Sequence, residues 1–71
     1  MKKVNSYNIF EEAHSSTILY HAIAADEEEV KKLAMDAGFD IAGMTIELER
    51  TNVKDSLGRP YSPGIEDALV H

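Results

Sequence analysis

The side chains of this chain with the types for catalysis or metal binding are His14, His21 and His71, Ser15, Ser16 and Ser62, and the pairs Glu11–Glu12 and Glu47/Glu49. Their spacing argues against each chemistry in turn. His14 and His21 stand seven positions apart, which on a strand would turn them to opposite faces. No carboxylate pair completes a ligand set at metal-site spacing. The serines lie in polar, turn-like sequence without the glycine-flanked elbow that exposes a nucleophile. Gly38, Gly43, Gly58 and Gly64 are scattered, so no glycine-rich loop cradles a phosphate. Paired carboxylates need a dry, concave setting to act as general acid and base, and a few strands with one helix rarely build one. The expectation is a non-enzymatic protein with no cofactor, no metal and no small-molecule substrate.

Two surface features remain. Thr45, Glu47 and Glu49 alternate along one strand face, which sets the carboxylates about 7 Å apart. That repeat is close to the spacing of nucleic-acid phosphates, yet any half-exposed strand with alternating acids has it, and a solvated face is the better explanation. The segment Gly58-Arg59-Pro60-Tyr61-Ser62-Pro63 joins an arginine and a tyrosine, types enriched at interface hot spots, to prolines that limit the entropy lost on binding. The plain alternative has Tyr61 packed under the loop and Arg59 paired with Asp55. Glu47, Glu49, Arg59 and Tyr61 are the candidate partner-binding residues.

The element that positions the rest is the segment from Asp26 to Phe39. Asp26 is a ready N-cap with Glu29 three residues on, the spacing of a capping box. Glu27, Glu28 and Glu29 crowd the first turn, where the helix dipole favours negative charge. Val30, Leu33, Ala34 and Ala37 form one apolar stripe, and Glu27–Lys31 and Glu28–Lys32 are favourable i,i+4 pairs. Gly38 supplies a left-handed stop, with Phe39 placed to pack back on Ala34 or Leu33.

Around this helix the pattern predicts a strand from Lys3 to about Glu12, a hairpin connection at Ala13–Ser16, and a second strand from Thr17 to Ala24. A third strand, Met44 to Arg50, alternates cleanly, with Met44, Ile46 and Leu48 facing the core. Ser62-Pro63 resembles an N-cap followed by proline at the first helical position, and Ile65, Ala68 and Leu69 supply an apolar edge for a last helix of about two turns. The expected fold is α+β: a small three-stranded, mainly antiparallel sheet in β-β-α-β-α order, one helix on a face and a short C-terminal helix. Strand order 2-1-3 is preferred over 1-2-3, whose last pairing would be parallel. The second strand is apolar on both faces, so Leu19, His21 and Ile23 are expected in a dimer or partner interface.

At 71 residues the chain has room for one domain, 1–71. So short a chain buries only about 60% of its unfolded surface, which favours pairing. Without cysteine, disulfides and thiolate metal sites are excluded. No apolar run approaches about 18 residues and no signal-peptide core follows the basic start, so a cytoplasmic protein without membrane contact is expected. Thirteen acids against seven bases leave a net charge of −6, which disfavours direct nucleic-acid binding.

Two functions fit. One is a small acidic protein-binding module, an inhibitor or adaptor of the type carried by phages and mobile elements, acting through its sheet face and the 58–63 loop. In size and element order the chain looks similar to compact acidic β-β-α-β proteins of that kind. The alternative is a structural or regulatory subunit that forms a homodimer.

Overall fold

A computed structural model describes residues 3–12 and 17–68. The elements are β1 (Asn5–Phe10), β2 (Ile18–Ala24), α1 (Glu27–Ala37), β3 (Thr45–Arg50) and β4 (Gly64–Asp67). The expected hairpin connection at Ala13–Ser16, with His14, lies outside the described residues, as does the stretch from Leu69 to His71.

Helix α1 forms where its end signals place it. Asp26 is extended and its Oδ1 accepts from the Glu29 N–H at 2.9 Å. The return bond of the box goes one residue further out, with the Ala25 N–H donating to Glu29 Oε1 at 2.8 Å. Gly38 takes φ 80°, which lets its own N–H reach the Met35 carbonyl and the Phe39 N–H reach that of Ala34. The Phe39 ring stacks on Tyr20, 4.8 Å between centroids, and so ties the helix end to β2.

The expected three-stranded sheet with a second helix is corrected. Among the described residues the sheet has four antiparallel strands in the order β3-β1-β2-β4, with one helix. Residues 64–67, expected to begin a helix, form β4 instead, pairing Ile23 with Gly64, Ala22 with Ile65, His21 with Glu66 and Tyr20 with Asp67. A helix of two turns cannot sustain itself in water, whereas the open edge of β2 satisfies the backbone groups of this segment at once. Beyond it the Ala68 N–H donates to the Leu19 carbonyl at 2.9 Å. The same pairing makes β2 a central strand, with Ala22 and Ala24 on the helix side and His21 and Ile23 on the opposite face.

Alternate residues of β1 and β2 build the core. Tyr7, Ile9, Ala22 and Ala24 point to the helix side and are buried together with Val30. Ala34 is buried from the helix, which lies chiefly over β2 and β4. Towards β3 cover thins, and Leu48, expected in the core, is 48% exposed although its ladder partner Tyr7 is buried.

Candidate functional site

The face opposite α1 carries a straight row of polar side chains. Register places Glu47 of β3 beside Asn8 of β1, Asn8 beside His21 of β2, and His21 beside Glu66 of β4. Glu49 joins this row through an irregularity. Ser6 pairs with Arg50 and Tyr7 with Leu48, so Glu49 is the extra residue of a bulge. A bulge re-aims a side chain, and Glu49 is brought to Ser6, whose hydroxyl donates to its Oε1 at 2.6 Å.

Asn8 lies between the two halves. Its Oδ1 is 2.8 Å from Nδ1 of His21, and its side chain helps to lower the Glu49 carboxyl. Two hydrogen bonds, His21 to Asn8 and Ser6 to Glu49, thus tie three strands together on this face. The Ser6 hydroxyl first, then Asn8, then the charges of His21 and Arg50 hold the Glu49 carboxyl below its ordinary value. A carboxylate held in this way is a fixed negative charge at neutral pH.

Beside this network a shallow depression of about 310 Å3 opens between Ser6, His21, Ile23, Glu49, Arg50, Tyr61 and Glu66. Four residues singled out from the sequence, His21, Ile23, Glu49 and Tyr61, thus meet on one surface. Tyr61 is 47% exposed and does not pack under its loop. Leu19 is half-buried and does not line the depression. Glu47 is exposed, one row along from it.

Arg59 is turned elsewhere. Asp55 accepts from the backbone N–H of Leu57 at 2.8 Å, from that of Arg59 at 3.0 Å, and from Arg59 Nε at 3.3 Å. These bonds close the 55–59 turn, and the Lys54–Pro60 bridge closes its base. The arginine thus takes the plain role foreseen for it. Ser6, Asn8 and Glu66 are the site residues sequence reasoning missed. Only the register reveals them, since a polar residue in a strand pattern marks a face without naming its neighbours.

Among the described residues, no three His, Asp or Glu side chains converge in a way that could hold a metal ion, and no helix is long and apolar enough to cross a membrane. The site sets the Glu49 carboxylate, held by Ser6, with Glu66, His21 and Arg50 beside the apolar surfaces of Ile23 and Tyr61. Compared with known proteins, the chain matches no protein-family model, no curated protein and no solved structure.

Proposed function

We propose that this chain is a non-enzymatic protein-binding module that engages a basic protein surface with its uncovered sheet face. The observation that carries the reading is the convergence of His21, Ile23, Glu49, Tyr61 and Glu66 around one open depression opposite the helix. A patch that sets Glu49 and Glu66 beside Ile23 and Tyr61, with Arg50 at its border, gives a partner both area to bury and charge to match. The net charge of −6 steers in the same direction. An inhibitor or adaptor works in this way, by covering a site on its partner without transforming anything.

The homodimer alternative rests on the small size of the chain and on the apolar second face of β2; the C-terminal helix that would have docked on a second copy is replaced by β4.

The test is capture of interacting proteins by the tagged chain, in parallel with the double variant Ile23→Asp, Tyr61→Ala. A basic protein retained by the parent, released by added salt and lost by the variant supports the reading. Capture of the chain's own copies alone, or capture indifferent to both substitutions, overturns it.

A further inference from the structure

The two edges of the sheet differ. β4 is four residues long with Pro63 directly before it, a blunted edge. β3 is six residues long, contains no proline, and among the described residues pairs with no strand on its outer side. A row of open backbone donors and acceptors is a template for another strand. The helix side of this edge is also incompletely covered. Leu48 is 48% exposed, Met35 of α1 is 78% exposed, and a groove of about 500 Å3 runs between Met35, Phe39, Ile41, Met44 and Ile46. Open backbone and open apolar surface therefore lie side by side.

A second copy fits this edge poorly. Antiparallel self-pairing aligns residues of the same face, and the two registers that engage most of β3 turn about Glu47 or Leu48. The first sets Glu47 against Glu47, the second sets Glu47 against Glu49, and like charges directly opposite are destabilising.

We infer that β3 is a docking edge for an extended segment of a basic partner, which adds to the sheet as a fifth strand. Alternation gives that segment its pattern. Lysine or arginine lies on the open face beside Glu47, and every second residue is apolar, covering Leu48, Ile46 and the groove. This goes beyond the binding reading above and rests on it for the basic character of the partner, while placing that partner at the β3 edge and not over the depression.

The probe is a synthetic peptide of about nine residues alternating lysine with valine, titrated into the isotope-labelled full chain. Amide signals should move contiguously over 44–50, and hydrogen exchange should slow at alternate β3 amides as their edge groups become bonded. Binding should weaken about tenfold in Glu47→Lys, an exposed substitution, and about tenfold when glutamate replaces the peptide's lysines. Peptide that does not bind, shifts that centre on His21, Ile23 and Tyr61, or protection of β3 that grows with the chain's own concentration would each overturn the inference. A partner lost on Ile23→Asp, Tyr61→Ala but retained by Glu47→Lys would overturn it while leaving the face reading intact.

Discussion

Nδ1 of His21 stands 2.8 Å from Oδ1 of Asn8, directly across the β1–β2 ladder. A carboxamide oxygen only accepts, so Nδ1 carries a hydrogen in this contact and the ring is held against Asn8. Replacing Asn8 by Ala removes this bond. At about 1 kcal/mol for one hydrogen bond, Asn8→Ala should lower stability by about 1 kcal/mol in urea denaturation. The Nδ1 shift of the His21 ring should at the same time report the loss of the bond.

Stability should also depend on pH through Glu49. Its carboxyl titrates below the ordinary value of 4.5 in the folded chain, chiefly because the Ser6 hydroxyl bonds it. A group whose folded pKa is depressed stabilises above its unfolded value and loses that contribution as pH falls through the folded one. Ser6→Ala should therefore raise the Glu49 midpoint towards 4.5, read by carbon NMR. It should also leave a shallower loss of melting temperature below that pH than the parent shows.

Gly38 isolates the strain of one backbone position. It lies at φ 80°, and a Cβ added there would meet nothing within 4 Å. Gly38→Ala thus tests conformation without a clash. It should cost about 1 kcal/mol, read as a lowered melting temperature with an unchanged helix signal in circular dichroism.

The 55–59 turn separates organiser from passenger. Asp55 accepts three bonds while Arg59 contributes one exposed side chain. Asp55→Ala should raise amide exchange across 55–59 and loosen the presentation of Tyr61. Arg59→Ala should leave both exchange and any captured partner unchanged, and loss of that partner in Arg59→Ala would restore Arg59 to the binding surface.

Helix α1 was readable to the residue because its signals are local. Asp26, Glu29 and Gly38 act on backbone groups within one turn of themselves, so spacing alone decides them. β4 was not readable for the opposite reason. Ser62-Pro63 imitates a helix start, and what makes 64–67 a strand is the edge of β2, some forty residues away. The site was legible as a set of residue types, with His21, Ile23, Glu49 and Tyr61 brought together and Arg59 left out. The bulge that turns Glu49 to Ser6 depends on how two ladders accommodate one extra residue, and alternation within β3 carries no trace of it.

The strand order has a consequence in time. β1 holds the middle of the sheet, and only its pairing with β2 is assembled from nearby sequence. Its other partner must return across the 43 positions that separate Ser6 from Glu49, and β4 closes on β2 from a similar separation. Contacts of such span are slow to form, so both borders of the sheet are late events in folding. Until they arrive, the β1–β2 hairpin has open flanks on either side. The acids of β3 and the proline ahead of β4 are thus carried by the segments that complete the molecule, and not by the hairpin that waits for them.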